Sequence, residues 1–189
     1  MKVIIGVIRA MCRYYFRVGR AWLLFDYIST AAFALLVRQL WKRHISRPKR
    51  ILADIFFFYL ITVLTSTVLS RSSGTTASYN LDLFWSFRDI LAGKGDSWLT
   101  TIENIVLFLP FGLLLPELLP GRGRALATVL LGFAFSLMIE GAQLVLKRGL
   151  FELDDIVTNT IGVVLGWLLY AAVARGVRLW RRRRPGKAE

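Results

Sequence analysis

The chain has 189 residues, of which 56% are hydrophobic, and it carries a net charge of +13. Its mean hydropathy of +0.54 excludes an ordinary soluble domain and predicts one all-α polytopic membrane helix bundle. The basic residues lie beside apolar runs, where they anchor a protein to anionic lipid, so we expect no nucleic-acid partner. One cysteine and one histidine exclude an internal disulfide and a Cys/His zinc site, and we expect no cofactor.

The N-terminal segment, residues 1–20, is predicted to form an amphipathic helix on the membrane surface. Its arginines recur every three or four residues among apolar side chains. They are Arg9, Arg13, Arg17 and Arg20. The apolar stretch 21–41 that follows has basic flanks on both sides, so it either spans against the positive-inside rule or lies in the interface. We favour a first span here, within an N-terminal unit of residues 1–50.

Four further segments approach the length of about 20 apolar residues that a helix needs to cross a bilayer. They are residues 51–70, 102–119, 125–147 and 155–174. The second of these contains Pro110, Gly112 and Pro116, which predict a kinked or broken helix that opens space for a site. Residues 51–174 therefore form the membrane domain, and residues 175–189 form a basic tail.

The distribution of Lys and Arg predicts the orientation. Basic residues collect in three stretches, namely residues 42–50, the turn 122–124 and the tail 175–187. The positive-inside rule places these stretches in the cytoplasm. The charge-balanced loops 71–101 and 147–155 then lie outside. We therefore expect a multi-pass protein of the cell membrane, surrounded by lipid, with a cytoplasmic C-terminus.

Two helix faces carry polar residues inside segments that are otherwise typical of membrane spans. Spacings of three and four residues group Ser136, Glu140, Gln143 and Lys147 on one face, and Asp155, Asn159, Gly162 and Gly166 on the other. The two glycines form a GxxxG motif, which permits close helix approach. At a rise of about 1.5 Å per residue, the polar side chains converge with Asn104 in the outward half of the bundle.

The amides and aspartates of this group also have a structural interpretation. Asn104, Gln143 and Asn159 can supply hydrogen bonds between helices, at about 0.6–2 kcal/mol each. Asp154 and Asp155 can cap the helix that begins beside them and complement its dipole. Neither role requires a ligand.

Glu140 is harder to explain as structure alone. A buried carboxyl group must be paired, protonated or hydrated. Lys147 or Arg148 is near enough in sequence to pair with it. An ionisable residue within a membrane span is otherwise a candidate for a functional site.

Three runs resemble the VanZ-like family of small bacterial integral membrane proteins. They are NIVLFLPFGLLLP (104–116), SLMIEGAQL (136–144) and RGLFELDDIVTNTIGVVLG (148–166), preceded by the loop element YNLDLFWSFRDI (79–90). The resemblance covers roughly residues 52–170. It departs at Trp85 or Leu83, where many members have a proline before the phenylalanine. The motif positions carried over are Asn104, Pro110, Gly112, Glu140, Gln143, Arg148, Asp155, Asn159 and Gly162.

The resemblance implies a bacterial membrane protein that lowers sensitivity to teicoplanin, a lipoglycopeptide that acts outside the cell. Our first hypothesis is a non-enzymatic protein whose outward-facing polar pocket binds or masks an amphiphilic cell-envelope component, a lipid-linked or glycopeptide ligand. The proposed binding residues are Asn104, Glu140, Gln143, Arg148, Asp155 and Asn159. Aromatic side chains of the outer loop can pack against rings or acyl chains. These are Tyr79, Phe84, Trp85 and Trp98.

The alternative is a membrane enzyme that acts on a lipid-linked or cell-envelope substrate. Glu140 would be the general acid or base, Asn104, Gln143 and Asn159 would orient the substrate, and Arg148 would hold a phosphate or carboxylate. We expect Glu140→Gln to abolish protection. A divalent cation held by Glu140, Asp154 and Asp155 is compatible with either hypothesis. A small transporter is less favoured, because five spans contain no internal repeat.

Overall fold

The structure is a computed structural model that describes residues 20–40, 46–74, 76, 78–93 and 97–183. The predicted N-terminal surface helix lies outside these residues, except for its last position. Six helices lie within the described residues. They are α1 (Arg20–Leu40), α2 (Arg47–Leu64), α3 (Trp85–Leu91), α4 (Ser97–Leu118), α5 (Arg124–Leu146) and α6 (Leu153–Arg183). A π-helical turn, Thr65–Leu69, continues α2.

Four of the described helical segments are long and apolar enough to cross a membrane. They are Arg47–Leu69, Ser97–Leu118, Arg124–Leu146 and Leu153–Trp180. Each coincides with one of the four later spans predicted from the sequence, because the length of an apolar run alone determines whether it can cross a bilayer. The prediction of an all-α membrane bundle is confirmed.

The first predicted span is also helical, but its described apolar part, Leu24–Leu36, is shorter than the other four. It packs along α2, where Phe33 stacks on Phe57 with ring centroids 4.0 Å apart. Asp26 is fully buried and accepts a hydrogen bond from the Thr65 hydroxyl at 2.6 Å. A polar contact therefore ties α1 to the end of α2, and the sequence had not singled out Asp26.

Helix α4 continues through Pro110 and Pro116, so the predicted alternative of a broken helix is wrong. The space expected beside the prolines is filled by the neighbouring helix. A Cβ atom added to Gly112 would lie 2.0 Å from the carbonyl oxygen of Val163 in α6. Gly112 is therefore a point of close helix contact.

The glycines of α6 complete this contact, as the GxxxG motif predicted. A Cβ atom at Gly162 would lie 2.3 Å from the carbonyl oxygen of Ile105, and one at Gly166 would lie 2.1 Å from that of Leu109. Only residues without a side chain allow two backbones to come this close. The contact fixes the start of α6 against α4, and so it fixes the height of the polar residues on α6.

An aromatic core lies between α2, α4 and α5. Phe111 meets Phe56 edge-on with ring centroids 5.3 Å apart and packs on Phe135 at 5.7 Å. Val163 of α6 is fully buried in the same cluster. The predicted polar residues follow this core at the end of the bundle where α5 ends and α6 begins.

A short parallel strand pair at this end was not predicted. Strand β1 (Ser78–Asn80) pairs with β2 (Leu150–Glu152), so that Tyr79 lies opposite Phe151 and Asn80 opposite Glu152. A strand of three residues is too short to show the alternation of apolar and polar residues by which strands are recognised from sequence. Together with α3, the pair covers the end of the bundle, and we call residues 78–93 and 150–152 the cap.

Candidate functional site

Glu140 is anchored to the cap by a backbone hydrogen bond. Its side chain is only 2% exposed, and Oε2 accepts a hydrogen bond from the backbone N–H of Glu152 at 2.9 Å. Arg148, one of the two predicted charge partners, instead donates to the carbonyl oxygen of Leu69 at 2.7 Å. The carboxyl group of Glu140 therefore holds strand β2 onto α5.

Asn159 connects α6 to the same face of α5. Its Nδ2 donates to the hydroxyl of Ser136 at 2.9 Å, and Ser136, Glu140 and Gln143 are all buried, as the helical spacing predicted. The Oδ1 atom of Asn159 is buried and has no hydrogen-bond partner among the residues that the structure describes. The side-chain amide of Asn159 therefore makes the predicted hydrogen bond between helices through Nδ2 and leaves its Oδ1 acceptor unused.

Asn104 connects α4 to the first turn of α6. Its Nδ2 donates to Oδ1 of Asp155 at 2.8 Å and lies 3.3 Å from the hydroxyl of Thr158. Asp155 therefore has a partner on another helix, besides its position in the first turn of α6, where a negative charge complements the dipole. The close contact between α4 and α6 at the glycines brings Asn104 and Asp155 within hydrogen-bonding distance.

Gln143 and Arg148 both bind the π-helical turn that ends α2. Gln143 Nε2 donates to the carbonyl oxygen of Thr67 at 3.1 Å, and Arg148 adds a second bond to the hydroxyl of Ser73 at 3.3 Å. The end of a helix leaves carbonyl groups without intrahelical partners, and a buried end needs donors from elsewhere. These two side chains supply such donors.

Arg71 belongs to the site although the sequence did not single it out. Its positive charge acts on the carboxyl groups of Glu140, Glu152 and Asp155. A Cβ atom at Gly149 would lie 2.8 Å from Arg71 Nη1, which places the guanidinium at the end of α5. The residue follows a span in an irregular loop, so no periodicity marks it.

Glu152 brings a third carboxyl group to this end of the bundle. It lies on β2, outside the membrane spans, and its register partner is Asn80. Burial raises the pKa of Glu152 above its ordinary value of 4.5, while the side chain of Asn80 acts in the opposite direction. Glu152 therefore lies where the cap meets the buried polar residues at the ends of α5 and α6.

Asp154 holds the first turn of α3 through Ser86, which lies 68 residues earlier in the sequence. Its Oδ2 accepts hydrogen bonds from the backbone N–H of Ser86 at 2.9 Å and from the Ser86 hydroxyl at 2.6 Å. Its Oδ1 accepts from the backbone N–H of Phe84. The sequence predicted that Asp154 caps its own helix, but the side-chain bonds go to a different one.

The cation site that the sequence left open, held by Glu140, Asp154 and Asp155, is not assembled by the described residues. The carboxylate of Asp154 binds Ser86 of α3 and does not join Glu140 and Asp155 around a common point. Among the residues that the structure describes, no group of three His, Cys, Asp or Glu side chains is placed to hold a metal ion.

Loss of Asp154 should loosen the cap. Asp154→Ala removes the acceptor of three hydrogen bonds, and bonds to a charged group contribute about 1.5–3 kcal/mol each. We expect the amides of Phe84 and Ser86 to exchange with deuterium about tenfold faster or more, measured by mass spectrometry on the detergent-solubilised protein. The matched control is Glu103→Ala, which removes an exposed carboxyl group of α4. Unchanged exchange in Asp154→Ala would contradict the anchoring role.

The cap carries an open cleft of about 510 Å³. Its lining residues are Asn80, Asp82, Trp85, Arg88, Asp89 and Ala92. Trp85 is one of the aromatic residues predicted to face a ligand, but the six predicted binding residues lie beneath the cap and line none of this cleft. The structure thus separates an accessible surface from a buried polar network.

Comparison with known proteins finds one family and one curated relative similar in sequence. The model of the VanZ/LLP1 family matches residues 55–175. Protein VanZ of Enterococcus faecium is 38% identical over 73 residues, which is 36% of this chain and 42% of that protein. The chain therefore spans less than half of the length of this curated relative. No solved structure matches the chain.

Proposed function

Because the chain belongs to the VanZ/LLP1 family, we propose that it is a membrane protein that binds an amphiphilic cell-envelope component and thereby lowers sensitivity to teicoplanin. The ligand is held on the cap without chemical change. The observation that carries this proposal is the open cleft of about 510 Å³ on the cap, a volume within the range of small-molecule sites, about 300–1,000 Å³. The distribution of Lys and Arg supports an outward-facing cap.

The surroundings of the cleft suit a molecule with a polar and an apolar part. The cleft is lined by two aspartates, an asparagine, an arginine, an alanine and Trp85. Nearby cap residues expose apolar side chains, with Phe84 48% and Leu91 88% exposed. A polar head group in the cleft and an acyl chain against these side chains would each find a matching environment.

The six predicted binding residues act in this proposal as supports of the cap. Glu140 holds β2. Asn104, through its bond to Asp155, ties α6 to α4, and Asn159 ties α6 to α5. Gln143 and Arg148 secure the end of α2. A cleft with fixed walls binds more tightly because less flexibility is lost on binding.

The alternative of an enzyme with Glu140 as general acid or base receives less support. A general acid or base must come within hydrogen-bonding distance of the substrate. Glu140 is 2% exposed, and one of its oxygens already accepts a hydrogen bond from Glu152. These contacts favour binding over catalysis.

The proposal predicts that Trp85→Ala weakens protection. The teicoplanin concentration that halves the growth of cells expressing the variant should fall about fivefold relative to wild type, the equivalent of about 1 kcal/mol of lost aromatic contact. The matched control is Trp180→Ala, which should protect as wild type does. Trp180 lies near the end of α6 that is far from the cap. Immunoblots of membrane fractions would confirm equal amounts of protein.

Two results would contradict the proposed function. In the first, cells that express the wild-type protein are as sensitive to teicoplanin as cells without it. In the second, Trp85→Ala protects as fully as Trp180→Ala at equal protein amounts. The second result would remove the cleft from the mechanism.

A further inference from the structure

The cleft is one face of helix α3 closed by the end of β1. Trp85, Arg88, Asp89 and Ala92 follow the spacing of three and four residues that aligns side chains on a helix, and all four line the cleft. The opposite wall is fixed by a tight turn, in which Asn80 Oδ1 accepts a hydrogen bond from the backbone N–H of Asp82 at 3.0 Å. Asp154 fixes the start of α3. Both walls are therefore held in place before a ligand arrives.

The charges of the cleft oppose an anionic ligand. Of its six lining residues, two are acidic and one is basic. That one cation, Arg88, is paired with Asp82, and the charges of Asp89 and Asp154 also act on it. A phosphate group would have to compete with these carboxylates for the guanidinium, and like charges placed close together disfavour binding.

The same groups suit a ligand rich in hydrogen-bond donors. Carboxylates accept hydrogen bonds from hydroxyl and ammonium groups. The indole of Trp85 offers a flat apolar surface for the C–H face of a sugar ring. Among the described residues that line the cleft, hydrogen-bond acceptors lie beside an aromatic side chain, and the one cation is paired with a carboxylate.

We propose that the cleft binds a neutral or cationic saccharide unit and rejects phosphate. This inference rests on the proposed function, since it names the ligand class of the same site. An amino sugar is the preferred unit, because its ammonium group can lie near Asp89, the lining carboxylate outside the Arg88–Asp82 pair. The saccharide would be the polar head of the amphiphile held on the cap.

The experiment measures binding to the purified full-length protein in detergent by isothermal titration calorimetry. The probes are the trimer of glucosamine, the trimer of N-acetylglucosamine and inorganic pyrophosphate. We expect both saccharides to bind, the glucosamine trimer more tightly, and pyrophosphate not to bind at the same concentrations. Asp89→Asn should weaken glucosamine-trimer binding about fivefold while largely sparing the neutral trimer. Glu103→Gln, an exposed carboxyl group outside the cleft, should leave both affinities unchanged.

A second variant tests the location without touching buried structure. Ala92 is exposed, and Ala92→Trp should fill the cleft and abolish binding of both saccharides. The inference is overturned if wild type binds no saccharide, if pyrophosphate binds as tightly as the saccharides, or if Ala92→Trp leaves saccharide binding intact.

Teicoplanin sensitivity of cells expressing Ala92→Trp separates the two proposals. Lost saccharide binding with intact protection would overturn the proposed function and keep the saccharide site. Lost protection by Ala92→Trp, with no saccharide binding to wild type, would keep the proposed function and overturn the ligand class. Loss of both activities in Ala92→Trp supports both proposals.

Discussion

Gly166→Ala and Gly162→Ala should each lower the thermal denaturation midpoint of the solubilised protein by about 2–12 °C. The added Cβ atoms would lie 2.1 Å from the carbonyl oxygen of Leu109 and 2.3 Å from that of Ile105, and backbone atoms cannot turn aside as a side chain can. Overpacking of this kind costs about 1–3 kcal/mol, and each kcal/mol corresponds to about 2–4 °C in a chain of this size. Size-exclusion chromatography after heating measures the midpoint.

Gly176→Ala is the matched control, because Gly176 lies in the same helix. Among the described residues, no heavy atom outside its own stretch of helix lies within 4 Å of an added Cβ atom. Alanine is the better helix former, so this variant should be neutral or more stable by about 0.5–1 kcal/mol. An equal loss of stability in Gly176→Ala and Gly166→Ala would show that glycine itself, rather than the contact between α4 and α6, is required. That outcome would remove the structural basis for the position of Asp155 beside Asn104.

The proposed function predicts that Glu140→Ala and Glu140→Gln differ in protection against teicoplanin. Alanine leaves the backbone N–H of Glu152 without its acceptor, and a buried unsatisfied group costs about 1–3 kcal/mol in addition to the cavity. Glutamine keeps an acceptor oxygen at the same position. We therefore expect Glu140→Ala to lose most of the protection and Glu140→Gln to retain most of it, measured as the teicoplanin concentration that halves growth at equal protein amounts.

This pair of variants distinguishes two roles of Glu140: a hydrogen-bond acceptor that supports the cap, and a general acid or base. The sequence alone led us to expect that Glu140→Gln abolishes protection, and the bond to Glu152 reverses that expectation. Complete loss of protection in Glu140→Gln, with the protein still in the membrane, would restore the role of a general acid or base. The exposed residue Glu103 is the control, because Glu103→Gln and Glu103→Ala should both protect as wild type does.

The sequence predicted the spans because crossing a bilayer depends on a local property, the length of an apolar run. The same locality explains why helical spacing correctly grouped Ser136, Glu140 and Gln143 on a buried face. It also explains the glycine contact, since the spacing of Gly162 and Gly166 places both on one side of α6. Helix α4 was the exception: its prolines suggested a kink or a break, and the break is absent because the helix is continuous. Packing partners decide whether a proline interrupts a membrane helix.

The partner of each polar side chain could not be predicted in the same way. Asp154 binds Ser86, which lies 68 residues earlier, and Arg148 binds Leu69, which lies 79 residues earlier. Arg71 joins the carboxyl groups from a loop with no regular pattern. The periodicity of a sequence cannot predict such pairings, since they depend on how helices and loops that are distant in sequence pack together.

By itself, the sequence determined that this protein is a membrane helix bundle and which helix faces carry its polar residues, because apolar length and helical period are local properties of the chain. Only the tertiary structure decided what those residues hold. It brought Leu150–Glu152 beside Ser78–Asn80, turned Asp154 toward α3 and set an open cleft above a buried network. The reason is physical: a buried polar group must find a hydrogen-bond partner, and which partner lies within reach is fixed only when distant segments pack together.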